Sequence, residues 1–224
     1  STYRKNRGEE AYAAIINRLD RPVSGLVLIA KNKKEAARLS ALMQRESLCK
    51  QYLVLVCGRP HSDTGTFTDY LLKNGKDNTS KVVSKEQAGA KKAVLEYSLI
   101  DYDEERNVSR LLINLITGRH HQIRVQLASR NMPVAGDGKY GGNMAAQAAE
   151  RIKGIRIKRG CIALCAVSLK VDGKLYEVKP GFYFCIYVSN ELISALAREF
   201  GHCVMIYFYL SLSFISISLV SVDS

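Results

Sequence analysis

The sequence lacks any Cys-x-x-Cys pair: its six cysteines are scattered, and the closest two are Cys161 and Cys165. A disulfide or thiolate framework is therefore not expected. A reducing, cytoplasmic compartment fits, with Cys57 and Cys165 as small core residues. The start of the chain has no apolar stretch of the kind a signal peptide needs. Histidine is scarce too. Of four, His120 and His121 are adjacent, and neighbours in sequence are expected to project to different faces, which argues against a shared zinc. Acid is in short supply: 33 Lys and Arg stand against 21 Asp and Glu, a net charge of +12. That balance suits a polyanionic partner, nucleic acid above all, and speaks to binding rather than to fold.

What is present is enough for a core. A chain of 224 residues folds most simply as one domain with small appendages. We divide it into a frayed segment 1–14, a main domain 15–188, a helix 189–201 and an apolar tail 202–224. Leu26 to Ala30 reads as a buried strand. Asn32 can cap the following helix, with Glu35 reaching back and Ala36, Leu39, Leu42 and Met43 recurring at helical spacing. Lys50 to Cys57 is apolar on both faces and reads as an interior strand. Residues 61–92 read as a basic, partly ordered excursion with Phe67 to Leu72 as a short strand. Its lysines, Lys91 and Lys92 among them, are placed to touch phosphates.

Ala93 to Ile100 and Asn107 to Ile116 predict an antiparallel pair joined by an acidic turn. Thr117 is expected to cap a helix running to about Ser129, with Ile123 and Leu127 on its buried side. An alanine-rich helix from Asn143, a strand from Ala163 and a hairpin at Asp172-Gly173 follow. Ser189 to Phe200 reads as a last, Ser189-capped helix. Cys203 to Val222 is uncharged and long enough to span a bilayer, but its alternation with serine favours a strand over a membrane anchor. Hairpin-linked strands with interspersed helices predict an α+β protein on a mixed, mainly antiparallel sheet.

The chemistry concentrates in Asn17-Arg18-Leu19-Asp20-Arg21-Pro22-Val23-Ser24-Gly25, where a carboxylate flanked by guanidiniums sits in a loop stiffened by Pro22 and turned by Gly25. Alone this is an ordinary solvated turn. Three further stretches change its weight: Lys50-Gln51-Tyr52, Thr117-Gly118-Arg119-His120-His121-Gln122-Ile123-Arg124, and Gly136-Asp137-Gly138-Lys139-Tyr140-Gly141. In this order the four resemble the RluA-type family of RNA pseudouridine synthases, over residues 15–180. Asn17, Val23 and His120 stand where histidine, threonine and threonine are common in that family. The strands with an Asn-Lys-Pro segment that usually precede the aspartate loop are absent, which implies a fragment or a sheet without those strands.

The resemblance implies a central sheet with flanking helices and an active cleft across its middle. It implies an isomerase that breaks the uridine N1–C1′ bond, turns the base and rejoins it through C5, with no metal and no cofactor. Asp20 would stabilise the cationic ribose, bond to C1′ or remove a C2′ proton. Arg124 would keep that carboxylate charged and fix it with paired hydrogen bonds, and Tyr52 would stack on the base and help take the C5 proton. Arg18 would fill the gap left by the flipped base and Arg21 would hold a phosphate. Thr117, Gly118, Arg119 and His120 would support the cleft. The expected partner is rRNA or tRNA, the expected state a monomer without membrane association. With no separate S4-type RNA-binding domain in view, target choice falls to the cleft rim and the lysine-rich excursion. The competing reading is an RNA-binding protein, or a fragment, that turns nothing over.

Overall fold

The computed structural model describes residues 12–44, 49–152, 161–178, 203–211 and 214–221. Two sheets carry the fold. The larger runs in the order β10 (Lys174–Glu177), β9 (Leu164–Val171), β4 (Cys49–Cys57), β8 (Val108–Leu115), β7 (Lys91–Asp103), β5 (Thr64–Asn74) and β6 (Thr79–Val83), with β2 (Ser24–Gly25) alongside β9. These ladders are antiparallel except β2 with β9, which is parallel. The smaller sheet runs β1 (Ala14–Ile15), β3 (Val27–Ala30), β11 (Cys203–Ser211) and β12 (Phe214–Ser221). The expected mixed, mainly antiparallel α+β architecture is the one found.

β4 lies between β8 and β9 as its two apolar faces require. Val54, Val56, Leu111, Ile113, Leu95 and Leu127 are fully enclosed in the core it shares with β7, β8 and α2 (Gln122–Ala128), each worth about 1.5–3 kcal/mol of burial. A second cluster joins Leu28 and Ala30 to Ala36 and Leu39 of α1 (Lys33–Gln44) and to Leu169 and Val171. Asn32 Oδ1 does accept the Glu35 amide, at 2.8 Å. Glu35's carboxylate does not reach back, because Arg38 takes it at 2.8 Å. Arg38 also forks onto Asp172 in the β9–β10 turn. In that turn Asp172 and Gly173 both have positive φ, the type I′ geometry their sequence predicts. α3 (Gly142–Arg151) buries Ala145 and Ala148.

Three expectations are corrected. Within residues 61–92, Thr64–Asn74 and Thr79–Val83 form the β5–β6 hairpin, so the short strand expected at Phe67 to Leu72 is part of a longer one, with Phe67 and Leu71 buried; β5 pairs with β7 from Thr64 to Leu71. Thr64, Thr66 and Thr68 on the outward face, with Asp69 and Lys73 at inward positions between and beyond the buried Phe67 and Leu71, hid this alternation. The cap position of α2 is His121, not Thr117, because the Thr117 hydroxyl is spent on the sheet, accepting from the Val94 amide at 2.8 Å and donating to Gln122 Oε1 at 2.8 Å. The helix has no side-chain cap, and all of Gln122 to Leu127 is buried, so it carries no solvent face. Finally, His121 takes a left-handed φ of 54°, which turns its ring back onto His120 in a stack with centroids 3.8 Å apart; the two do not project to different faces.

Of the apolar tail, 203–211 and 214–221 are strands: β11 pairs with β3 and with β12. No helix among the described residues is long and apolar enough to cross a membrane. The helix expected at Ser189 to Phe200 and most of the segment 1–14 lie outside the described residues.

Candidate active site

A cavity of about 650 Å³ opens between the 17–25 loop, β4 and the segment leading into α2. Its wall carries Arg18, Arg21, Lys50, Lys73, Arg119 and Arg124, and a single carboxylate, Asp20. Backbone chemistry holds the Asp20 loop. The Val23 amide donates to the Asp20 carbonyl at 2.9 Å to close a turn over Arg21-Pro22. Downstream, Ser24 and Gly25 run parallel to Cys165 and Ala166 of β9, and the Leu26 amide donates to the Ala166 carbonyl at 3.0 Å. Upstream, the buried Asn17 amide accepts from the Leu28 amide and donates to the Leu26 carbonyl, fastening the loop's entry to its exit. Asn17 drew no role in the sequence reading beyond being an unusual residue at its place.

Tyr52 reaches the cavity from β4 and is 7% exposed. The β4–β9 register shifts between Gln51 and Tyr52, an irregularity that re-aims the strand's side chains at this point. Arg124, 4% exposed, comes from the first turn of α2. Its Nη1 is 3.5 Å from Asp20 Oδ2. The paired hydrogen bonds expected for Asp20 go elsewhere: Nε and Nη2 donate to the two oxygens of Asp137, at 2.7 and 2.8 Å. Asp137 is 1% exposed, and the Tyr140 ring lies beneath the guanidinium at 5.0 Å. The Gly136–Gly141 stretch thus supplies the residue that clamps Arg124. Its spacing was visible in sequence; its partner was not.

Burial raises the Asp20 carboxyl above the usual carboxylate range, and it outweighs the opposing pull of Arg124. The arginine therefore limits the shift without reversing it. Burial, then the nearby Asp20 charge, pushes the Tyr52 phenol up, so the ring enters the site as a neutral phenol. Burial and the Arg124 charge push His121 down to about 3; it is neutral at physiological pH. His120 is lowered as well, by burial and then Lys73. No cluster of three or more histidine, cysteine or acidic side chains placed to hold a metal occurs among the described residues.

The remaining residues named from sequence divide. Arg18, Arg21, Arg119 and His120 line the cavity, and Arg119 Nε donates to the Lys92 carbonyl at 2.8 Å. His120 braces the β5–β6 hairpin, with Nδ1 2.9 Å from Ser80 Oγ and Nε2 3.0 Å from Asn78 Oδ1. Lys91 and Lys92 are exposed at the start of β7 and do not line the cavity; Lys73 does. Gln122 carries no sign of its role in the sequence. Its buried amide accepts from Thr117 and from the Arg119 amide and donates to the Val94 carbonyl, which shapes the whole turn before α2.

An acid held beside a guanidinium in a basic, half-open cavity is equipped to meet developing positive charge on a polyanionic ligand. Known proteins bear on which one. The family model described as RNA pseudouridylate synthase matches residues 1–129, a span that contains Asp20, Tyr52 and Arg124. The chain is 36% identical over 133 residues to the ribosomal large subunit pseudouridine synthase D of Blochmanniella floridana, covering 59% of this chain and 40% of that protein. It is 34% identical over 137 residues to synthase C of Haemophilus influenzae, covering 60% of this chain and 41% of that one. It thus spans about 40% of the length of these curated relatives. The human RNA pseudouridylate synthase domain containing 1 shares the fold, with a TM-score of 0.61 at 21% identity over 84% of this chain and 81% of that one. Its counterpart, domain containing 4, has a TM-score of 0.62 at 19% identity over 87% and 79%. Matched over more than half its length by that one family model, and built on the same fold, the chain belongs to the RNA pseudouridylate synthases, in their RluA-type branch.

Proposed function

We propose that the protein isomerises uridine to pseudouridine in structured RNA, with Asp20 as the group that acts at the ribose. The observation that carries this reading is the convergence of Asp20, Tyr52 and Arg124 on one basic cavity from three separate elements. The target nucleotide leaves its stack, Arg18 takes its place, and Arg21 and Arg119 hold flanking phosphates. As the N1–C1′ bond breaks, its electron pair leaves with the base. Asp20 meets the cationic ribose, by charge, by bonding to C1′ or by taking a C2′ proton. The detached uracil turns against the Tyr52 ring, C5 bonds to C1′ while any proton taken from C2′ is returned, the C5 proton passes to a base and enters the solvent-exchangeable pool, and N1, which left with the electron pair, takes up one proton in exchange. Burial of the Tyr52 phenol favours stacking and proton relay over service as a phenolate. Nothing is added or removed in sum, so the reaction needs no cofactor.

The relatives' names point to ribosomal RNA, with tRNA as the second substrate to test. We place the protein in a reducing, cytoplasmic compartment, in keeping with the free thiols of its described cysteines, and as a monomer. The test is release of tritium from 5-tritiated uridine in bulk rRNA and tRNA. Wild type is expected to release it, and Asp20→Asn to lose at least about a hundredfold in rate. Equal release by both, or RNA binding without release by either, would replace the isomerase with a non-catalytic RNA-binding protein.

A further inference from the structure

Asp20 has a second polar neighbour that the reaction above leaves idle. His121 Nε2 lies 3.8 Å from Asp20 Oδ2, while His121 Nδ1 lies 2.7 Å from the Tyr140 hydroxyl. That hydroxyl is also 2.9 Å from the backbone nitrogen of Ser80. An amide nitrogen only donates, so the phenol oxygen accepts from Ser80 and has its own single proton to give to Nδ1. With the phenol proton directed at it, Nδ1 is the accepting, unprotonated nitrogen. In a neutral ring the remaining proton sits on Nε2, on the side of Asp20. His121 is held neutral by burial and the surrounding charge, and burial keeps the Tyr140 proton in place by raising its phenol. The stack on His120, itself held at both nitrogens by Ser80 and Asn78, removes the ring's freedom to turn.

We propose that His121 is a positioning residue for Asp20, presenting Nε2–H to Oδ2 in a tautomer dictated by the Ser80 amide through the Tyr140 hydroxyl. Arg124 Nη1 approaches the same oxygen, at 3.5 Å. Both donors converge on Oδ2, which leaves Oδ1 as the oxygen offered to the ribose. At 3.8 Å the neutral ring and the carboxylate are neighbours without a hydrogen bond, and an approach of about 0.8 Å makes one; catalytic hydrogen bonds commonly tighten as substrate closes a site. This inference rests on Asp20 being the acting carboxylate, as proposed above.

Several charged or titratable groups face the pair. Arg124 comes from α2, Tyr52 from β4, Asp137 and Lys139 from the loop before α3, and Lys73 of β5 acts on the adjacent His120. Tyr140→Phe alters none of them, and it keeps the ring under Arg124. Loss of the Nε2–H donor makes the Asp20 carboxylate harder to ionise, so its titration moves to higher pH.

The experiment uses the full chain with nitrogen-labelled histidine and carbon-labelled aspartate. Wild type is expected to show a bare Nδ1 and a protonated Nε2 at His121. Tyr140→Phe is expected to give mixed tautomers and an upward shift of the Asp20 titration. It should also move the acid limb of the tritium-release profile to higher pH and slow turnover about tenfold, with KM nearly unchanged. His121→Leu should do the same, and His121→Gln, whose amide can point a donor along the same line, should restore most of the rate. A protonated Nδ1 in wild type, or an Asp20 titration that does not move in either variant, overturns the proposal. Wild-type protein that releases no tritium defeats the isomerase reading instead, and the tautomer and the Asp20 titration still decide this one.

Discussion

Arg124 divides its guanidinium between two acids of opposite character. Asp137 takes the fork, in a pair that is 4% and 1% exposed, and so fixes the position of the charge. Asp20 receives the remaining nitrogen at 3.5 Å and keeps some access to the cavity. Breaking a buried pair by removing one charge leaves the other without compensation. Asp137→Asn is therefore expected to cost about 3–5 kcal/mol and to abolish turnover, measured as the urea midpoint and tritium release; an unchanged midpoint would show that Asp137 does not anchor the arginine. Asp20 should behave oppositely. Its carboxyl is raised in the folded state, so its contribution to stability is present below the ordinary value of 3.8 and lost as pH rises through the raised one. At pH 7 the charged group costs stability, and Asp20→Asn is expected to leave the midpoint unchanged or higher while removing activity.

At the scale of elements, the site depends on how the Asp20 loop joins β9. Gly25 has φ +121°, and a Cβ there would overlap the backbone of Ala166. The sequence marked Gly25 as a turn residue. The stronger reason, a backbone-to-backbone approach, lies some 140 residues along the chain at β9. Gly25→Ala adds left-handed strain of about 1–2 kcal/mol to an overlap costing about 1–3 kcal/mol. A loss of about 3 kcal/mol with a larger loss of turnover is expected, read from the thermal midpoint and tritium release, and a neutral alanine variant would mean the loop is not seated on β9. The turn before α2 makes the complementary case. A threonine ahead of an apolar helical stretch is a sound capping signal. Here the same hydroxyl satisfies Val94 of β7 and Gln122 instead, so the helix starts four residues later, with His121 at its cap position, and His121 is left in the conformation that aims its ring at Tyr140 and Asp20.

For the whole molecule, the net +12 charge is read out unevenly. Lys73 stands on the cavity wall, whereas Lys91 and Lys92 lie outside it at the start of β7. If RNA leaves the cavity across β7, neutralising Lys91 and Lys92 weakens binding and lowers the salt slope by about 0.9 for each phosphate no longer neutralised. The chemical step in single turnover stays intact. Lys73→Gln is expected to lower the slope and to slow single turnover as well. Binding measured from low to moderate salt decides it, and a slope unmoved by the Lys91 and Lys92 changes removes them from the RNA path.

By itself the sequence determined the parts whose cause is local. These are β4 as a doubly apolar interior strand, the Asp172-Gly173 hairpin, the Asn32 cap of α1 and the residue types that mark Asp20, Tyr52 and Arg124. Each rests on periodicity, turn chemistry or a short motif, which neighbours in the chain decide among themselves. The tertiary structure alone decided the allocation of partners. It gave Arg124's fork to Asp137 and not to Asp20, Thr117 to the sheet and not to a helix, and the His121 ring a place between Tyr140 and Asp20. A hydrogen-bonding group takes the partner that burial brings within reach at the right angle, and that depends on segments far apart in sequence.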